Sequence, residues 1–178
     1  RGSIVVVDEV YRDLQDDPPP VAATRHPRFL TTGGLTKSFG LGGLRLGWVL
    51  GSPELLDRVR RADNLVSVQC ATPSLQILEQ VWPRLDGLAR RARRPVAANL
   101  RVLRRSGLPF IEPQAGLTAL VEVGDGDRVS AALAERGVGL ASGGFFGAPA
   151  HVRVFLGAQP AAFREGIERL RAYLSGSA

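Results

Sequence analysis

The sequence of 178 residues predicts an α/β fold on three observations. The run from Ile4 to Val7 is apolar and β-branched, which is typical of a strand buried on both faces. The segment from Gly34 to Trp48 holds five glycines and the only lysine, Lys37, and predicts either a tight turn or a backbone that another group approaches closely. From Leu108 onward the predicted order β-α-β-β-α is typical of a separate small α+β domain.

In the first part, we predict three short strands over residues 4–7, 29–32 and 46–50, with a proline-rich loop after residue 16. Ser52 followed by Pro53 predicts the start of a helix over 54–64, because serine accepts from free amides and proline suits the first turn. Thr72 and Pro73 repeat this signal for a helix to Val81. Pro83 then interrupts it.

In the second part, an arginine-rich helix reaches Arg105, with a kink expected at Pro95, and Gly107 ends it. The tail predicts strands over 117–123, 138–141 and 152–156 and a helix over 128–136 capped by Asp127. A closing amphipathic helix over 161–174 places four apolar side chains on one face. We expect the boundary between the two parts within the long helical stretch, around 73–95.

Composition excludes several classes of protein. No apolar run approaches the roughly 20 residues of a membrane span, and the single Cys70 excludes an internal disulfide framework and suits a reducing compartment. The net charge is +6, but the densest basic run, over 90–105, lacks interleaved aromatics and is interpreted as a solvated helix face rather than a nucleic-acid surface. The sequence has no methionine, so we expect either that its original start is missing or that it follows a removed tag.

Lys37 is the leading candidate for chemistry. It is the one lysine among 23 Lys and Arg residues, and a primary amine can attack a carbonyl whereas a guanidinium in practice cannot. Arg45 follows eight residues later and is a fixed cation suited to a phosphate. A stray surface lysine in an arginine-biased sequence is the alternative.

The segments T-K-S-F-G-L over 36–41 and G-L-R-L-G-W over 43–48 resemble the lysine signature of the pyridoxal-phosphate (PLP) aminotransferases of fold type I, class I/II. The resemblance implies an α/β fold in which the C-terminal part of the large PLP-binding domain, residues 1–75, lacks its N-terminal portion. Residues 76–178 would form a long linking helix and a small C-terminal α+β domain.

The resemblance also implies the roles of five cofactor-binding residues. Asp8 would face the pyridine nitrogen and favour its protonated form, and Tyr11 would hydrogen-bond the ring oxygen. Lys37 would form the Schiff base and then act as general base and acid. Arg45 and Thr36 would hold the phosphate.

Arg153 lies in a late segment, G-G-F-F-G over 143–147 followed by H-V-R-V over 151–154, that resembles the family's strand arginine. That arginine would hold the α-carboxylate of the substrate in a bidentate fork, and closure of the domains would bring substrate to cofactor. His151 is given no role. Gly34 departs from the family, since many members have serine there; Thr36, Ser38 or a backbone amide would then replace the missing hydroxyl.

The function implied is the transfer of an amino group between an amino acid and a 2-oxo acid, with PLP as cofactor and no metal. The resemblance further implies a cytoplasmic homodimer completed by the missing N-terminal part. One alternative is a PLP-dependent decarboxylase or lyase of the same fold. Another is a non-enzymatic, aminotransferase-like effector domain of a transcription regulator, which a DNA-binding module upstream would indicate. The motifs do not show which amino acid or oxo acid is used.

Overall fold

The computed structural model describes residues 2–67 and 69–176. The strands in these described residues are, in chain order, β1 Val5–Asp8, β2 Phe29–Gly34, β3 Gly47–Leu50, β4 Phe110–Ile111, β5 Thr118–Glu122, β6 Ala141–Ser142 and β7 His151–Phe155. The α-helices are α1 Leu35–Ser38, α2 Pro53–Val66, α3 Thr72–Val81, α4 Leu85–Arg105, α5 Gly126–Ala134 and α6 Pro160–Leu174. The chain divides into two compact units, one up to Ala92 and one from Arg93 onward.

The first unit is built on a three-stranded sheet in the order β1-β2-β3. β1 runs parallel to β2, with Val5 opposite Phe29, and β3 returns antiparallel to β2. The expectation that the first strand is buried on both faces is wrong for the described residues, since Val5 is 41 % and Val6 63 % exposed. The physical reason is that among the described elements only β2, its neighbour in the sheet, packs extensively against β1, so its faces lie open.

In the first unit the predicted cap of α2 is confirmed, whereas the predicted cap of α3, Thr72, is wrong. Ser52 caps α2, and its hydroxyl accepts a hydrogen bond from the Leu55 amide. α3 begins at Thr72, so the residue at the cap position is Ala71, without a side-chain cap. α3 ends at Val81, and a short 3₁₀ turn that contains Pro83 leads into α4.

The second unit contains an antiparallel sheet in the order β4-β5-β7-β6. One face of this sheet carries the hydrophobic core, in which side chains from β5 and β7 pack with α5, α6 and the end of α4; its fully buried members include Leu103, Val121, Val129, Leu133, Val152, Leu156 and Leu170. Buried Asn99 on α4 donates to the carbonyl oxygens of Leu156 and Ala158, at 2.8 Å each. This amide therefore fixes α4 to the turn between β7 and α6.

Three details of the second unit correct the sequence predictions. α5 begins earlier than predicted because its cap is Asp125, whose carboxylate accepts from the Arg128 amide, and not Asp127. The strand predicted over 138–141 pairs only at β6, because Val138 and Leu140 pack against the core instead. The two-residue β4 was not predicted. Beside it, Arg104 hydrogen-bonds Glu112 and thereby lowers the pKa of that carboxyl.

None of the described helices is both long enough and apolar enough to cross a membrane.

Candidate functional site

The candidate site in the first unit begins at the carboxyl ends of the parallel strands β1 and β2, where open α/β sheets bind ligands. Asp8 is the last residue of β1 and lies opposite Thr32. Its Oδ1 accepts hydrogen bonds from the Thr32 hydroxyl and the Val10 amide, each at 3.2 Å. These two donors orient the carboxylate, which is exposed.

Lys37 lies in the one-turn helix α1, which directly follows β2. Because β1 and β2 are parallel, Asp8 and the lysine turn emerge from the same edge of the sheet. The Lys37 side chain is exposed and forms no ion pair with the described residues. Its amine is therefore available to a ligand.

A buried hydroxyl ties the lysine turn to the segment after Asp8. Ser38 is fully buried, and its Oγ donates to the carbonyl oxygen of Val10 at 2.8 Å. Val10 stands between Asp8 and Tyr11 in the chain, so one hydrogen bond links both predicted ring contacts to the residue next to Lys37. Ser38 is thus committed to this bond and does not replace the hydroxyl absent at Gly34.

Arg45 is held by the loop that follows α1. Its own amide donates to the Gly42 carbonyl, and the carbonyl of the next residue, Leu46, accepts from the Leu35 amide at 3.2 Å. Arg45 has φ of 53°, and among the described residues it alone combines a positive φ with a side chain. A non-glycine residue in this conformation costs about 1–3 kcal/mol and persists only where its surroundings require it.

The glycines around Lys37 let two strands approach closely. A Cβ at Gly33 would lie 2.4 Å from the Trp48 Nε1, so the indole covers the strand at this point. A Cβ at Gly47 would lie 2.9 Å from the Gly33 carbonyl oxygen. At Gly34, by contrast, φ is −172° and the nearest atom to a Cβ is the Leu46 oxygen at 3.5 Å, an ordinary contact.

Tyr11 and Thr36 complete the predicted cofactor residues. Tyr11 is half-buried and caps a short 3₁₀ turn, in which its carbonyl accepts from the Leu14 amide. Thr36 is exposed, and its methyl group packs 3.2 Å from the position of a Cβ at Gly42. Because Ser38 is committed to Val10, Thr36 is the remaining one of the two hydroxyl side chains expected to replace the hydroxyl absent at Gly34.

Arg153 belongs to the second unit and lies at the centre of β7. Leu120 and Ala141 flank it on the neighbouring strands, and neither offers a polar partner. The guanidinium carbon lies 4.2 Å from the ring centroid of Phe146, and no carboxylate of the described residues pairs with it. His151 lies on the same face of β7, and its Nδ1 is buried without a hydrogen-bond partner among the described residues.

Two residues that position the site were not predicted in these roles. Thr32 could have been suspected, since it ends the strand beside Asp8. The bond from Ser38 to Val10 joins residues 28 apart and leaves no local signal in the sequence. Within the described residues, no cluster of His, Cys, Asp and Glu could hold a metal ion.

The side-chain types in this site are those that PLP requires. Lys37 supplies a free amine, Asp8 an oriented carboxylate, Tyr11 a phenol and Arg45 a cation, and hydrogen bonds join the segments that carry them. Comparison with known proteins defines the class: the family model "Aminotransferase class I and II" matches residues 1–170. The chain therefore belongs to the class I and II aminotransferase family.

Particular relatives are also similar. Histidinol-phosphate aminotransferase 1 of Cupriavidus pinatubonensis is 32 % identical in an alignment of 179 positions that covers 93 % of this chain and 47 % of the relative. An aromatic amino acid aminotransferase of Cutibacterium acnes is 30 % identical in an alignment of 142 positions that covers 76 % of this chain and 40 % of the relative. The chain thus matches these curated relatives across most of its own length. It spans about half of their length.

Solved structures show the same fold. A PLP-dependent aminotransferase from Streptococcus suis superposes with a TM-score of 0.88 at 21 % identity, over 97 % of this chain and 49 % of the other. The α-aminoadipate aminotransferase of Thermus thermophilus gives 0.81 at 21 % identity, over 98 % of this chain and 50 % of the other. At these identities the likeness establishes the α/β fold alone.

Proposed function

We propose that this chain is the lysine-bearing part of a PLP-dependent aminotransferase, which moves an amino group between an amino acid and a 2-oxo acid. The observation that carries the proposal is the exposed Lys37 amine. Its turn is joined through Ser38 to the segment that presents Asp8 and Tyr11.

Five residues would hold the cofactor. The Lys37 amine would engage its aldehyde carbon, Asp8 would keep the proton on the pyridine nitrogen, and Tyr11 would donate to the ring oxygen. Arg45 and the Thr36 hydroxyl would hold the phosphate. When bound, PLP supplies an electron-withdrawing ring that stabilises negative charge at the substrate α-carbon.

The chain's own residues would then handle protons and charge. Lys37 Nζ would accept the proton from the substrate α-carbon and later release it. Asp8, whose carboxylate accepts hydrogen bonds from the Thr32 hydroxyl and the Val10 amide, would face the pyridine nitrogen and favour its protonated form. Arg153 would bind the anionic group of the substrate as a bidentate fork.

The names of the relatives suggest substrates to test. One relative is named for histidinol phosphate and another for aromatic amino acids. Both are amines with a planar ring and an anionic group, which is a phosphate in one and a carboxylate in the other. We propose a substrate of this kind.

We further propose that residues 1–75 belong to the large PLP-binding domain and that residues 76–178 form the linking helix and the small domain. An N-terminal part of the same protein would supply the remaining cofactor contacts, and the active form would be a cytoplasmic homodimer. The relatives and structures named above are all aminotransferases, so no observation favours a decarboxylase, a lyase or a regulator domain.

Borohydride reduction in the presence of PLP tests the proposal directly. The protein would be incubated with PLP, reduced, digested and analysed by mass spectrometry, both as this chain and within its full-length polypeptide. In this chain the amino terminus is the only other amine, so the mapping is simple. We expect one pyridoxyl group, on Lys37, and turnover of an amino-acid and oxo-acid pair by the full-length protein.

The matched control is Lys37→Arg, which keeps the positive charge but cannot form the adduct. It should abolish both labelling and turnover. Labelling only at the amino terminus of the full-length protein, or turnover by the Lys37→Arg variant, would overturn the proposal.

A further inference from the structure

The large aromatic side chain of Phe146 lies outside the hydrophobic core of the second unit. It is 47 % exposed, and its neighbour Phe145 is 83 % exposed. The two rings differ in one respect: Phe146 lies against the guanidinium of Arg153, with 4.2 Å between the guanidinium carbon and the ring centroid. Phe145 makes no such contact with a cation of the described residues.

The turn that carries Phe146 is closely built. The Ser142 hydroxyl accepts from the Gly144 amide at 3.0 Å, and the Ala148 amide donates to the Gly143 carbonyl at 2.9 Å. A Cβ at Gly143 would lie 2.1 Å from the Ala148 oxygen, so no side chain fits there. Gly147 adopts φ of 72°, a left-handed conformation that favours glycine. The ring therefore projects from a well-defined backbone.

No ion pair of the described residues engages the N–H groups of Arg153. An aromatic ring contacts the flat face of a guanidinium, whereas a carboxylate or phosphate binds its N–H groups in the plane. The neighbours of Arg153 on β5 and β6, Leu120 and Ala141, are apolar and do not fix the guanidinium by hydrogen bonds. Among the described residues, Phe146 is thus the aromatic side chain that contacts the Arg153 guanidinium.

We propose that Phe146 is a positioning residue for Arg153, which it holds ready for the anionic group of the substrate. This deepens the proposed function and rests on it. Arg153 loses less conformational freedom on binding an anion when its guanidinium plane is already held by the Phe146 ring. Removal of the ring therefore weakens anion binding and leaves the proton transfers at Lys37 unchanged. A cation–π contact at an exposed site corresponds to about a two- to fivefold change in affinity.

The kinetic test compares Phe146→Leu, Phe146→Tyr and Phe145→Leu in the full-length protein. The probe is whichever of the twenty amino acids and L-histidinol phosphate the unmodified protein turns over fastest. We expect Phe146→Leu to raise KM about two- to fivefold with kcat within twofold. Phe146→Tyr should restore KM, because it keeps the ring, and Phe145→Leu should leave both constants unchanged.

A second measurement does not depend on turnover. In protein labelled with ¹⁵N-arginine, the Arg153 Nε–H signal, assigned with Arg153→Lys, should carry a ring-current shift that Phe146→Leu removes and Phe145→Leu retains. Titration with propionate, a simple carboxylate, should give a dissociation constant two- to fivefold higher in Phe146→Leu.

The two measurements separate the possible failures. If the unmodified protein neither labels at Lys37 nor turns over any probe, the proposed function fails, and the propionate titration still decides the role of Phe146. If Phe146→Leu binds propionate and substrate as well as Phe145→Leu does, the positioning role is overturned. The same holds if Phe146→Tyr fails to restore KM, since the ring would then not be the cause.

Discussion

At the scale of single residues, Gly34 concerns the phosphate site directly. Its backbone is extended, with φ of −172°, and a Cβ there would meet only the Leu46 oxygen at 3.5 Å and the Gly47 Cα at 3.8 Å. Nothing in the local structure therefore excludes the serine that many family members carry. We expect Gly34→Ser to fold normally and to bind PLP more tightly, by about ten- to a hundredfold for one added hydrogen bond to a charged group.

Fluorescence or absorbance titration with PLP would measure this change in the full-length protein. Gly34→Ala is the matched control, since it adds the same Cβ without a hydroxyl and should leave the affinity unchanged. Equal affinities for Gly34→Ser and Gly34→Ala would show that the residue does not face the phosphate.

Gly33 is a different case, because Trp48 occupies the space beside it. A Cβ would lie within 2.4–2.7 Å of three atoms of the indole, which is half-buried and also lies near Phe39. We expect Gly33→Ala to destabilise the fold by about 1–3 kcal/mol through overpacking. Chemical denaturation would measure the loss.

A double-mutant cycle with Trp48→Leu tests the cause of that loss. Once the indole is gone, Gly33→Ala should cost less than about 0.5 kcal/mol, so that the two substitutions are strongly non-additive. If their effects simply add, the strain at Gly33 has another origin.

At the scale of elements, the Ser38 hydroxyl joins α1 to the segment after β1. Ser38→Ala would leave the Val10 carbonyl without this partner in a buried place, which costs about 1–3 kcal/mol. We also expect weaker PLP binding, because the link between the lysine turn and the Asp8 segment is lost. Denaturation and PLP titration would measure the two effects.

Ser130→Ala provides the comparison for that experiment. The Ser130 hydroxyl donates to the Asp127 carbonyl at 3.3 Å on the surface of α5, and its loss should change stability by less than about 0.5 kcal/mol. If Ser38→Ala is as mild as Ser130→Ala and binds PLP normally, the link has no role in forming the site.

The elements show where sequence reasoning succeeds and where it fails. The start of α2 is predictable because Ser52 and Pro53 act locally. The start of α5 is not, since Asp125 and Asp127 are both possible caps. The choice depends on Gly126, whose amide donates to the Pro149 carbonyl and which packs against the His151 oxygen too closely for a Cβ. Such tertiary contacts are invisible in a local pattern.

The candidate site divides in the same way. The sequence motifs identify Asp8, Tyr11, Lys37 and Arg45 by type and spacing, and their roles stay predictions. The contacts that hold these segments together join distant positions, such as Thr32 to Asp8 and Ser38 to Val10, which are 24 and 28 residues apart. Motif reasoning names reactive side chains because chemistry restricts them, but it does not reveal the structural bonds that position them.

At the scale of the whole molecule, the exposure of β1 is unusual. β1 is an apolar strand that pairs in parallel with β2 at the edge of the sheet, yet Val6 is 63 % exposed. Parallel strands are normally covered on both faces. The exposure agrees with the proposal that an N-terminal part, in the portion of the relatives that this chain does not match, completes the domain.

Val6→Lys would test this at the level of the assembled domain. In this chain alone the side chain is mostly in solvent, so we expect a change in the free energy of unfolding of less than about 0.5 kcal/mol. In the full-length polypeptide the charge would be buried without a partner, and the loss should be several-fold larger, about 3 kcal/mol or more. Val6→Thr keeps the β-branched shape and adds an uncharged hydroxyl. Its loss of unfolding free energy in the full-length polypeptide should therefore fall between these two values. An equally small effect of Val6→Lys in both contexts would mean that nothing covers β1, and the N-terminal part would then have to complete the site from another side.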